Sequence, residues 1–180
     1  GGEAAGGIHG ANRLGGLALI DSYVFGLRSG IAAALESKSE VAPDRQSGNW
    51  RDGLEELDER VAQGGSSLSP QAWRKEVQNV IISNLGQVRR EDRLLEGLAK
   101  LDELENEFGD IGVSGKTDRQ RFEYLRLIME TRNLIRVGRM LGTAALARTE
   151  SRGGHFRLEY PEEDEGFLGN LIIRREGDTC

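Results

Sequence analysis

Between Ser69 and Arg148, apolar residues recur at three- and four-residue steps, in three runs separated at Gly86 and at the glycine-rich stretch from Gly109 to Thr117. That spacing gathers the apolar side chains of each run on one side of an α-helix, whereas a half-buried strand alternates them. Ser69-Pro70 opens the first run with a hydroxyl at the N-cap and Pro at the first helical position. Trp73, Val77, Val80, Ile81 and Leu85 form its stripe. Glu91-Asp92 restarts a helix with acids in its first turn, and Leu94, Leu95, Leu98, Leu101, Leu104 and Phe108 carry it to Gly109. Thr117 or Asp118 caps the longest run, about Arg119 to Arg148. Its apolar positions, among them Phe122, Leu125, Ile128, Met129, Ile135, Met140 and Ala145, spiral widely, as in the central helix of a bundle. Three antiparallel helices on short connections make the simplest architecture.

A fourth apolar run, Leu17 to Leu35, stands apart near the N-terminus. Leu17, Ile20, Val24, Leu27, Ile31 and Leu35 repeat at helical spacing, with Leu19 and Phe25 filling other sides. Asp21, Ser22 and Arg28 interrupt it, so it reads as a buried core helix rather than a membrane span. Ahead of it lie sixteen residues with seven glycines, among which Glu3, His9 and Arg13 are spaced. A Gly-Gly pair opening a helix leaves backbone N–H groups for a ligand, which is the build of a cofactor-cradling loop. It is not read as a dinucleotide fingerprint, which should follow a strand and open a βαβ unit, and it is not a Walker loop, because no Gly-Lys-Ser/Thr occurs. Arg13 suits a bidentate grip on a carboxylate, the alternative being an ion pair with a nearby acid. His9 serves a ligand or bonds its own loop; Glu3 accepts from hydroxyls or pairs with an arginine.

The net charge of −6 gives no reason to expect nucleic-acid binding. Two distant histidines and one cysteine, Cys180, offer no metal site and no internal disulfide. The polar run Arg148, Glu150, Arg152, His155 and Arg157 reads as a buried ion-pair network pinning the bundle to a neighbouring domain, in preference to a second catalytic cluster. Phe167 to Arg175 reads as a strand ending in a Gly177-Asp178 turn. The expected organisation is residues 1–36 as the end of one domain, 37–67 as a connection with a weak helix (Trp50 to Ala62), 68–157 as the helical domain and 158–180 as a tail. The chain lacks an initiator Met and stops at a turn, so a piece of a longer protein is expected.

Two signatures carry a resemblance. Gly2-Glu3-Ala4-Ala5-Gly6-Gly7-Ile8-His9-Gly10-Ala11-Asn12-Arg13-Leu14-Gly15-Gly16, followed by a helix containing Phe25-Gly26, resembles the flavoprotein subunit of succinate dehydrogenases and fumarate reductases. L-aspartate oxidase, in the same superfamily, is similar there. Arg148-Thr149-Glu150-Ser151-Arg152-Gly153-Gly154-His155-Phe156-Arg157, then Tyr160-Pro161-Glu162, resembles the segment after that family's last bundle helix.

The resemblance implies a mainly α chain: the end of an FAD-binding domain, with its loop and buried helix, then a C-terminal three-helix bundle and a short β-strand tail. It implies FAD in the full-length protein and interconversion of succinate and fumarate by hydride transfer at flavin N5. It places Glu3, Arg13, Ala18 and Leu19 at cofactor positions, with Arg13 gripping the dicarboxylate. It further implies an iron–sulfur subunit as partner, and a cytoplasmic location, peripheral to a membrane through partners. The fragment alone is expected to be inactive and not to hold FAD. The alternatives are an L-aspartate oxidase, favoured less by Leu14-Gly15-Gly16, or a helical module that docks the iron–sulfur partner without chemistry of its own. One departure stands out: Leu17 occupies the position after Gly-Gly where the family usually has Asn.

Overall fold

A computed structural model describes residues 7–38, 55, 59, 69–107, 111 and 117–174. Glu3, Phe108, most of the weak helix and of the 109–117 loop, and the turn after Arg175 lie outside the described residues. The chain divides into two compact units, Gly1–Gly48 and Asn49–Cys180.

In the first unit, α1 spans Leu17–Glu36. It forms where the apolar spacing predicts it, but none of its residues is buried. The expected buried helix is therefore corrected: Leu19, Tyr23, Leu27 and Leu35 are each more than 60% exposed. The reason is geometric. A helix apolar on most sides needs covering layers on most sides, and among its described residues the first unit supplies one helix and a loop.

The second unit holds α2 (Pro70–Asn84), β1 (Val88–Arg89), α3 (Glu91–Asn106), α4 (Asp118–Ala147) and β2 (Phe156–Arg157), then a 3-10 turn at Glu165–Phe167. The helices start where the sequence signals put them. Ser69 accepts a hydrogen bond from the Ala72 amide at 3.2 Å, with Pro70 at the first helical position. Thr117 and Gln120 form a reciprocal capping box. Gly86 breaks the chain between α2 and the two-residue β1, where the Ile82 carbonyl would sit 3.1 Å from an added Cβ.

Each helix turns a narrow seam to the core: Trp73, Val77 and Val80 from α2, Leu94, Leu101 and Leu104 from α3, Ile128, Ile135 and Ala145 from α4. The Trp73 indole N–H donates to the Leu104 carbonyl at 2.9 Å, so the largest core side chain is also satisfied. Leu85 and Ile111 complete the cluster. On α4 the buried positions are Ile128, Thr131, Ile135, Gly138, Gly142 and Ala145, a three-four repeat. This seam is narrower than the wide spiral expected: Phe122, Met129 and Met140 are exposed. Small residues occupy it because the helices approach closely. A Cβ on Gly142 would meet Leu98 Cδ2 at 2.8 Å, and one on Gly97 of α3 would meet Asn84 Cβ at 2.6 Å.

The segment after α4 returns to the bundle through a parallel ladder, Val88 against Phe156 and Arg89 against Arg157. The expected strand over Phe167 to Arg175 is corrected as well. Phe167 ends the 3-10 turn and residues 168–174 have no regular structure. No partner strand stands beside them among the described residues, and an isolated strand has nothing to satisfy its backbone.

Candidate functional site

The first candidate site is the loop before α1. Gly7, Gly10 and Gly16 take φ of 87°, 59° and 85°, left-handed values that glycine reaches without strain. Gly16 is the N-cap of α1, and no side chain caps the helix start. The Leu17 amide reaches the Leu14 carbonyl at 3.4 Å. Arg13 is exposed, and no hydrogen bond or ion pair joins it to another described residue. Its sequence alternative, pairing with a nearby acid, is not what the structure shows among the described residues. His9 is less open: its Nε2 lies against Asp21 Oδ2, so the imidazole ties the loop to the second turn of α1. Ala18 and Leu19 are both exposed at the helix start, where the Ala18 carbonyl accepts from Ser22 Oγ at 2.9 Å. Leu17 is partly covered.

An uncapped helix N-terminus carries partial positive charge on its free N–H groups. With a guanidinium three residues before the cap, the loop gathers positive character on an exposed surface, suited to a carboxylate or phosphate. Nothing crowds it: a Cβ at Gly10, Gly15 or Gly16 would meet no atom within 4 Å.

The second cluster lies past α4 and is closed. Glu150 is fully buried. Arg152 Nε lies 3.1 Å from both its carboxylate oxygens, the Asp164 amide donates at 2.9 Å, and Arg148 Nη1 completes the shell. The Arg152 hydrogen bond, then the Asp164 amide and Arg148, outweigh burial and hold the carboxyl down at about 2. Arg148 also donates to the carbonyls of Phe167 and Gly169, at 3.1 and 2.6 Å, and lies over the Phe167 ring. Arg157, 1% exposed, donates to the Ala145 carbonyl at 2.7 Å and packs over Tyr160. Ser151 Oγ donates to the Tyr160 carbonyl at 2.7 Å and accepts from the Arg157 amide at 2.9 Å. A Gly153-Gly154 turn, with Gly153 at φ 58°, folds the segment back so that Arg152 and His155 exchange backbone hydrogen bonds at 2.8 and 3.0 Å. Glu150 has two arginines and Arg148, Arg152 and Arg157 each have acceptors, so the cluster is an ion-pair network as expected, but among the described residues its partners lie in the tail and the bundle of its own unit rather than in a neighbouring domain. It fastens the tail and the loop carrying β1 to the bundle.

Sequence reasoning missed two polar contributors. Asn84 is buried at the end of α2 and donates to the Arg93 carbonyl and to Glu96, both at 3.2 Å. Glu159 accepts from the Glu91 amide at 2.8 Å and so caps α3, which holds its carboxyl below the usual range. The signal for Glu159 was the absence of a capping side chain at Arg90; Asn84 had none, because its bond partners are set by the helix crossing. No group of metal-ligating side chains occurs among the described residues.

The chain belongs to the family described as fumarate reductase flavoprotein C-term, which matches residues 74–179. It is 33% identical over 96% of its length to an uncharacterized FAD-dependent oxidoreductase of Methanocaldococcus jannaschii, covering 30% of that protein. It is 30% identical over 94% of its length to the succinate dehydrogenase flavoprotein subunit of Coxiella burnetii, covering 29% of it. A chain of the Mycobacterium smegmatis Sdh1 complex in the apo form superposes with a TM-score of 0.85 at 34% identity, over 99% of this chain and 30% of that one. L-aspartate oxidases of the same superfamily match at lower identity, 26% for that of Synechocystis sp.. The chain thus spans about 30% of the length of the relatives it matches.

Proposed function

We propose that this chain contributes the carboxylate-binding arginine and one wall of the flavin site to an oxidoreductase that interconverts succinate and fumarate. The observation that carries the reading is Arg13: an exposed guanidinium without a partner among the described residues, three residues before an uncapped helix start. Arg13 holds one carboxylate of a four-carbon dicarboxylate in a planar, two-pronged grip and orients the carbon skeleton. The positive start of α1 favours negative charge on whatever lies before it. FAD fits this surface in part. Ala18, Leu19 and the open Gly15-Gly16 backbone offer a flat, uncrowded wall, and Glu3 belongs to the same proposed contact set. When bound, FAD supplies the hydride-accepting ring. Leu17, where a polar residue is usual in the family, gives that wall an apolar edge.

The exposed apolar side chains of α1 support the same reading, since the remainder of an FAD domain would cover them. By length and composition α1 could also cross a membrane, but Asp21 and Arg28 sit within it, and we read its cover as protein. Membrane association is then peripheral, through partner subunits, one of them an iron–sulfur protein.

In the complete enzyme, Arg13→Ala should nearly abolish turnover of fumarate and succinate while leaving the folded bundle intact; near-normal activity would remove Arg13 from the site. Assaying succinate, fumarate and L-aspartate side by side separates this reading from an L-aspartate oxidase, since oxidation of aspartate in preference to the other two would reassign it. Titration of the 180-residue chain alone with FAD should show no tight, stoichiometric binding.

A further inference from the structure

His155 has no part in the proposed chemistry, yet three elements converge on it. Its Nδ1 lies 2.5 Å from Arg89 Nη1 of β1, and its Nε2 lies 3.1 Å from the carbonyl of Arg148, where α4 ends. A guanidinium only donates and a carbonyl only accepts. The ring must therefore accept at Nδ1 and donate from Nε2, which makes it the neutral Nε2–H tautomer. The charged groups that face it are all cations: Arg89 from β1, Arg157 from β2 and Arg148 at the end of α4. The acids nearby are committed elsewhere. Glu150 is held by Arg148 and Arg152, Glu159 by Arg157 and the Glu91 amide, and Glu91 lies 3.7 Å from Arg157. A proton at Nδ1 removes the acceptor that Arg89 uses and adds a fourth cation to three guanidinia.

We propose that protonation of His155 unlatches β1 from the hairpin that carries β2, so that mild acid parts these two strands while the Glu150 clamp stays closed. Burial, and then the three arginines, set the latched imidazole below its ordinary 6.5. Above 6.5 the ring is neutral in both states and the latch has its full strength. As pH falls below 6.5, the unlatched ring takes up its proton first, and the latch weakens until the lowered value is reached. Glu150, held at about 2, remains charged throughout that window.

Hydrogen exchange on the full chain tests this at the Leu158 amide, which donates to the Arg89 carbonyl at 2.9 Å. Its protection, corrected for intrinsic exchange, should fall by about three- to tenfold between about pH 7.5 and 5.5. The Asp164 amide, which donates to Glu150 at 2.9 Å, should keep its protection. His155→Gln can accept from Arg89 and donate to the Arg148 carbonyl but does not titrate in this range, so it should abolish the drop. Equal Leu158 protection at both pH values would overturn the proposal. So would an unchanged drop in His155→Gln, or a parallel loss at Asp164. Should that variant not fold, NMR titration of the unsubstituted chain decides: the His155 ring must titrate below 6.5 with the same midpoint as the Leu158 change.

Discussion

Helices α1 and α4 reverse the usual link between apolar content and burial. The first is the more apolar along its length, yet it buries no residue. The second carries six arginines from Arg119 to Arg139, yet it closes a dry seam from Ile128 to Ala145. The difference lies in what stands opposite. Helix α4 has α2 and α3 within its own unit, at distances short enough that glycines are needed, whereas α1 has only its loop among the described residues of its unit. Hydrophobicity makes burial favourable, roughly 25 cal/mol for each Å² covered, but a partner surface has to be there to cover it.

The contrast can be broken most directly in the bundle core. Trp73→Ala should cost about 3–5 kcal/mol in chemical denaturation, because it removes a fully buried indole and its bond to Leu104; a cost under about 1 kcal/mol would mean that the bundle is not the stable unit. Acid should act next, through Glu150. Its carboxyl is held at about 2 in the fold against 4.5 as the ordinary value, so its contribution is complete above 4.5 and is lost as pH falls toward 2. Melting temperature should drop steeply across that window, and Glu150→Gln should flatten the drop while lowering the neutral-pH value.

Gly97→Ala sharpens the point about close approach. The added methyl collides with Asn84 Cβ, and the resulting overpacking exceeds the roughly 1 kcal/mol that Ala gains in helix propensity, for a net loss of about 1–2 kcal/mol by denaturant titration. The smallest effect belongs to α1. Leu27→Ala, at a side chain 67% exposed, should change the stability of the isolated chain by less than about 0.5 kcal/mol, while Leu101→Ala costs about 2–5 kcal/mol. Equal costs at Leu27 and Leu101 would erase the distinction between the two helices.

Much of the bundle was legible because its punctuation is local. Ser69-Pro70, Thr117 with Gln120, Gly86 and the acids at Glu91 each act within one turn of the backbone. The stripe of α2 followed from spacing alone, and so did Leu94, Leu101 and Leu104 of α3, whereas Leu95 of the same run is exposed. The seam of α4 was read too widely, because a search for apolar side chains passes over Thr131, Gly138 and Gly142, whose value is that they are small. The parallel β1–β2 pairing was not legible: two residues per strand carry no alternation. At the candidate site, the loop and Arg13 stood out by composition, and the structure adds that His9 is spent on Asp21. The exposure of α1 and the unpaired tail were not foreseeable from the pattern, since both depend on surfaces that residues far away in sequence must provide.

The end of α4 has one more consequence. No glycine terminates it; Arg148 leaves in an extended conformation, and the Ala145 and Leu146 carbonyls are satisfied by the Arg157 guanidinium. The helix is thus finished by a side chain twelve residues downstream of Ala145, at the far side of a hairpin. Pulling the hairpin away would therefore leave the Ala145 and Leu146 carbonyls of the longest helix without the donor that satisfies them.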